Sequence, residues 1–140
     1  MSEESGDISD ATYSKRVRRA DQVSKTVALF VAMAVFGVGY FLSDEVQASS
    51  ITAAVAGIGA RFIIPYQISQ TVPDEERVPI EDHPGTGNFH HGAVGGALLV
   101  GPVVATVALI AGVDSTLSLV IGGVAGGLVY FPLKDLLPRG

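Results

Sequence analysis

The stretch Gly92–Pro132 leaves a chain like this few options. It reads GAVGGALLVGPVVATVALIAG, then VDST, then LSLVIGGVAGGLVYFP. Two apolar runs stand back to back, and the break between them has room only for a hairpin. A bilayer span needs about 20 mostly apolar residues, because the hydrocarbon core is about 30 Å thick and a helix rises about 1.5 Å per residue. Gly92–Gly112 meets that requirement without a charge, and Leu117–Leu133 sits at its lower end. In water each glycine inside a helix would cost about 1 kcal/mol against alanine. In lipid the backbone has no water to bond, so the helix forms regardless. Glycine then becomes a means of bringing two helix backbones together.

The spacing of the small residues supports that use. Gly92 and Gly96 form one GxxxG step, and Ala97, Gly101 and Ala105 continue a ridge. Gly122/Gly126 and Gly123/Gly127 form two overlapping steps. Residues four apart share a helix face, and faces of small residues pack closely in bilayers. Two uses stay open: packing inside one copy of the chain, and a seam between copies.

A second pair of apolar runs precedes the first. Thr26–Leu42 (TVALFVAMAVFGVGYFL) closes on the interfacial aromatics Tyr40 and Phe41, and SDEVQ forms a turn. Ala48–Pro65 follows and is the weakest span, with Ser49, Ser50, Thr52, Gly57, Gly59 and Arg61 in it. The fold class is therefore all-α integral membrane protein, with four transmembrane helices as two glycine-rich helical hairpins. Residues 1–25 are expected to be a disordered acidic and basic segment, within which Ala11–Val23 can lie on the headgroups as a short helix. Residues 26–65 form the first hairpin and 66–91 a Pro/Gly-rich loop broken at Pro73, Pro79 and Pro84. Residues 92–133 form the second hairpin, kinked at Pro102, and 134–140 a short tail. Val55–Tyr66 can also be laid over Gly122–Leu133, matching Pro65 with Pro132 and Gly59 with Gly126, as a faint parallel repeat. Val46-Gln47-Ala48 resembles a signal cleavage site, but the apolar run and the segment before it are long for a signal, so the first span is read as retained.

Orientation follows from the basic residues. Lys15, Arg16, Arg18, Arg19 and Lys25 precede the first span, Arg77 lies in the long loop, and Lys134 and Arg139 follow the last span. The turns SDEVQ and VDST have no Lys or Arg. Both termini and the long loop are therefore expected in the cytoplasm.

Composition narrows the function classes. Charged residues make up 16% of the chain, well under the roughly 25% of soluble domains. The net charge of -5 argues against a nucleic-acid partner. The absence of cysteine excludes disulfides and thiolate chemistry. A small acidic, lysine-poor chain opening MSEESGDISD resembles the proteins of salt-loving archaea in composition, and that resemblance names no family.

Two places could carry chemistry. Arg61 is an ionisable residue in a span: either it snorkels to the headgroups as a lipid contact, or it lines a pathway together with the Pro102 kink. His83, His90 and His91 lie in or beside the long loop near Glu75, Glu76, Glu81 and Asp82. Such groups can bind a metal or sense pH, but the spacing fits no ordered ligand pattern, and interfacial histidines capping the third span are the simpler reading. No Asp, Glu or His lies inside a span, and no phosphate loop, GxSxG or HExxH is present. No catalytic residue, metal site or cofactor is assigned, and enzyme activity is not expected.

The expected role is thus structural: a small membrane component or accessory subunit, packed through its glycine faces in a homo-oligomer or in an archaeal or viral membrane assembly. Its partners would be the bilayer, itself or other membrane subunits. The alternatives are a small channel or transporter using Arg61 and Pro102, and a membrane-anchored metal- or pH-sensing loop. The orientation predicts that Asp114→Cys, in a chain with no other thiol, reacts with an impermeant maleimide added outside intact cells, and that Glu76→Cys does not. The reverse labelling pattern would refute it.

Overall fold

The computed structural model describes residues 4–71 and 90–138. It is all-helical among those residues: α1 is Glu4–Ser43, α2 Val46–Gln70, α3 His91–Ile110 and α4 Ser115–Leu136. All four contain a segment long and apolar enough to cross a membrane, which in α1 is Arg19–Ser43. This is the architecture of a multi-pass helical membrane protein.

The turns are short because their residues close them locally. Asp44, at φ 58, supplies the left-handed residue between α1 and α2, a conformation that a short polar side chain tolerates. Gly112, at φ 80, does the same after α3. The Asp114 carboxylate then caps α4, accepting from the Leu117 N–H at 3.1 Å.

Helices neighbour one another in chain order, α1 on α2, α2 on α3 and α3 on α4, with α1 also touching α3. The central pair is α2 and α3: 44% and 39% of their most apolar windows are buried, against 11% for α1 and 17% for α4.

What is buried is small. Eight of the ten buried apolar residues among those described are alanine, from Ala20 and Ala28 to Ala93 and Ala105, with Tyr66 and Leu109 completing the set. Ser24, Ser49 and Ser118 are fully enclosed. The large apolar side chains point outward, Leu29, Phe30, Met33, Phe41, Leu128 and Phe131 among them. A soluble monomer rarely exposes so continuous an apolar surface. In hydrocarbon the arrangement is the expected one, because helices attract one another there by close contact and not by escape from water.

Backbones meet at glycine. A Cβ on Gly101 would lie 2.9 Å from the Gly122 carbonyl oxygen, and one on Gly126 would lie 2.8 Å from that of Ala97. On Gly122 it would meet both Ala105 and the Gly101 oxygen at 2.6 Å. The ridge Ala97, Gly101, Ala105 therefore lies against Gly122/Gly126. The other step, Gly123/Gly127, meets nothing within 4 Å. Between α2 and α3 the close points are Gly59 against Leu98 and Gly95 against Ile63, and between α1 and α2 they are Gly57 against Ala28 and Gly39 against Ser49. Gly92 and Gly96 do not act as one face: Gly92 abuts the Tyr66 ring and Gly96 the Leu133 side chain.

Three boundaries differ from the sequence reading. Helix α2 runs through Pro65 to Gln70, and α4 runs through Pro132 to Leu136. A proline removes one N–H bond, but a helix already formed on both sides carries it, and the buried Tyr66 just beyond Pro65 anchors the extra turn. Helix α1 begins at Glu4, in the segment that composition alone marks as disordered. Once the span is nucleated, each further residue adds a hydrogen bond at little cost, so the helix propagates outward.

The packing predicts that Gly126→Leu destabilises the folded chain by about 1–3 kcal/mol, the usual cost of over-packing. Gly127→Leu, one residue along, should change the stability of a single copy by no more than about 0.5 kcal/mol. Thermal unfolding of the detergent-solubilised monomer followed by circular dichroism distinguishes the two.

Candidate functional site

Two places in the bundle gather polar side chains, and a third leaves open space between helices. The first is a charge cluster between α1 and α2. The Asp21 carboxylate accepts from Lys25 Nζ at 2.6 Å, one turn along α1, and from the Arg61 guanidinium of α2 at 3.3 Å. All three side chains are about half exposed, at 48%, 55% and 49% in that order. From Val46 to Arg61 helix α2 climbs about 23 Å, and from Ser43 back to Asp21 α1 climbs about 33 Å. A core about 30 Å thick that begins at the turn would hold the Arg61 backbone and end near Asp21. The arginine thus reaches outward along α1 to a carboxylate at the edge of the apolar zone. Among the contacts of Arg61, the ion pair with Asp21 is what the linear sequence hid: folding the chain about Asp44 sets Arg61 against α1 one to two turns from Asp21.

The second place is the end of the bundle that gathers the end of α2, the start of α3 and the end of α4. His90 is the N-cap of α3, and its Nδ1 accepts from the Ala93 N–H at 3.3 Å. Its Nε2 lies 2.9 Å from the Leu137 carbonyl oxygen. With Nδ1 accepting, Nε2 carries the proton and donates to that carbonyl, so one neutral tautomer satisfies both contacts. Beside it, the Tyr66 hydroxyl donates to the Pro138 carbonyl at 2.8 Å. Tyr66 of α2 and His90 at the start of α3 therefore hold the two residues that follow α4. His91 is buried with its ring 5.2 Å from that of Phe62. His83 lies outside the described residues. No group of three His, Asp or Glu among the described residues is placed to hold a metal ion.

The third place is an apolar groove of about 490 Å³ between α2, α3 and α4. Ile51 and Val55 of α2, Pro102 of α3, and Gly123, Gly127 and Tyr130 of α4 are among its walls. It exists because α2 and α4 barely touch, each turning its small residues toward α3. Pro102 and Arg61 are not brought together: one lines this groove and the other pairs with α1. Nearer the turns, the Ser49 hydroxyl and the Thr106 hydroxyl are buried and find no partner among the described residues.

No family model, curated protein or solved structure matches the chain.

The geometry at His90 predicts that His90→Ala costs about 1–3 kcal/mol, from one helix cap and one further hydrogen bond. His90→Asn restores the cap but not the reach to Leu137, and should recover part of that loss. Equal melting temperatures for the wild type and both variants would contradict the account.

Proposed function

We propose that this protein is a structural or accessory component of a membrane, assembled through the α4 side of its bundle. The observation that carries the reading is the free glycine face. Gly123 and Gly127 open onto an apolar groove and have no neighbour within 4 Å, while the parallel step Gly122/Gly126 is spent on α3. In hydrocarbon a face of small residues is most useful where another helix can lie against it. A second copy of this chain or a helix of a partner subunit, presenting larger side chains, is the occupant we assign. The termini and the long loop are proposed to face the cytoplasm, as the distribution of basic residues favours. The class includes small membrane components of cells and of enveloped archaeal viruses, and the acidic, lysine-poor composition supports such a source.

A structural role draws support from the disposition of the ionisable groups. Arg61 pairs with Asp21 at the α1–α2 face and not with the groove beside Pro102, and His90 serves a helix cap and a carbonyl.

Native mass spectrometry in a mild detergent tests the assignment. The wild type is expected as a defined oligomer or a stoichiometric complex. Gly123→Leu/Gly127→Leu should shift it to monomer with its helix content unchanged. An oligomer that survives this double substitution, or a wild type that is monomeric throughout, would overturn it.

A further inference from the structure

The charge cluster between α1 and α2 is more than an internal ion pair: among the described residues it sets two cations against one carboxylate. Each carboxylate oxygen is already engaged, Oδ2 by Lys25 and Oδ1 by Arg61. The guanidinium has five N–H donors and the ammonium three, so most of their donors remain. Both cationic heads are about half exposed and flank Asp21 at the edge of the apolar zone. Among the described residues, two cations with one carboxylate stand at the depth where the phosphates of a bilayer lie.

We propose that Lys25 and Arg61, spaced by Asp21, form a binding site for the phosphate of an anionic lipid headgroup at the α1–α2 face. The proposal rests on the membrane-spanning reading of the four helices. Asp21 offsets one of the two positive charges and occupies one face of each cationic head. The lipid phosphate takes the outward donors. Preference for an anionic over a zwitterionic lipid follows from the excess positive charge, since both lipids carry a phosphate but only one carries a net negative charge.

The logic of the site separates it from a purely structural ion pair. If the cations exist to neutralise Asp21, Asp21→Asn removes their purpose. If they exist to hold a lipid, Asp21→Asn releases both toward it.

The test uses the full chain reconstituted from vesicles of equimolar phosphatidylglycerol and phosphatidylcholine, with retained lipids counted by native mass spectrometry. The wild type should keep phosphatidylglycerol preferentially. Lys25→Ala/Arg61→Ala should lose that preference, by about fivefold for each cation removed. Arg61→Lys should restore most of it, and Asp21→Asn should keep or raise it. Inorganic phosphate at millimolar concentration should not displace the lipid. Equal retention of the two lipids by the wild type, an unchanged preference in the double alanine variant, or loss of preference in Asp21→Asn with helix content intact would each overturn the proposal. Displacement by inorganic phosphate would assign the site to a free anion and overturn the lipid assignment. Extraction of the wild type from membranes by alkaline carbonate would refute the spanning reading itself, a result distinct from a lack of lipid preference.

Discussion

Hydrocarbon offers a peptide group no hydrogen-bond partner, and that constraint governs nearly everything in this molecule. A backbone placed there must bond to itself, so the helices form on sequences that would serve them poorly in water. Helix α2 carries Pro65, α3 carries Pro102 and α4 carries Pro132, and none of the three is ended by it. Released from helix propensity, the residues at the contacts are chosen for size. Gly101 lies against Gly122, Gly95 against Ile63 and Gly57 against Ala28, each at a distance that a side chain would fill. The large apolar groups go to the outside, where lipid receives them.

From that packing rule the division of labour follows. The two central helices pack small residues against neighbours on two sides, and the two edge helices on one. Because α4 packs Gly122 and Gly126 on α3 and turns away from α2, a groove remains between α2 and α4, lined by Gly123 and Gly127 and by the open edge of the Gly101, Gly122 and Gly126 contact. Polar contacts collect at the opposite end from the short turns. There His90 closes the start of α3 and, with Tyr66, holds the peptide carbonyls that follow α4. Arg61 and Asp21 join α1 to α2 toward the same end. The turn end is held by short-range devices instead, Asp44, Gly112 and the Asp114 cap.

The four apolar helices were legible in the sequence because they depend on length and on missing charge, both of which are local. The ridge Ala97, Gly101, Ala105 and its partner Gly122/Gly126 was legible as a face, but which overlapping step it used was not, since Gly122/Gly126 and Gly123/Gly127 differ only by rotation of α4. The contacts of Gly95, Gly59, Gly57 and Gly39 leave no repeating spacing in the sequence: Gly95 lies against Ile63 and the Gly59 carbonyl, Gly59 against Leu98, Gly57 against Ala28 and Gly39 against Ser49. Helix α2 continues five residues past Pro65 and α4 three residues past Leu133, because a helix already formed on both sides of a proline carries the missing N–H. The Arg61–Asp21 pair spans a hairpin, and laying the two helices antiparallel about Asp44 would have suggested it. The link from His90 to Leu137 and from Tyr66 to Pro138 joins segments far apart in the chain, and no local pattern announces it. His83 and the carboxylates around it lie outside the described residues.

Helices α3 and α4 meet backbone to backbone along one particular glycine face, Gly101 against Gly122 and Gly126. Solid-state NMR of the glycine-labelled protein in lipid bilayers measures this directly. Through-space correlations are expected from the Gly101 Cα to those of Gly122 and Gly126, and none from Gly101 to Gly123 or Gly127. Correlations from Gly101 to Gly123 and Gly127, with Gly122 and Gly126 silent, would show that α4 is turned the other way and would contradict the packing described here.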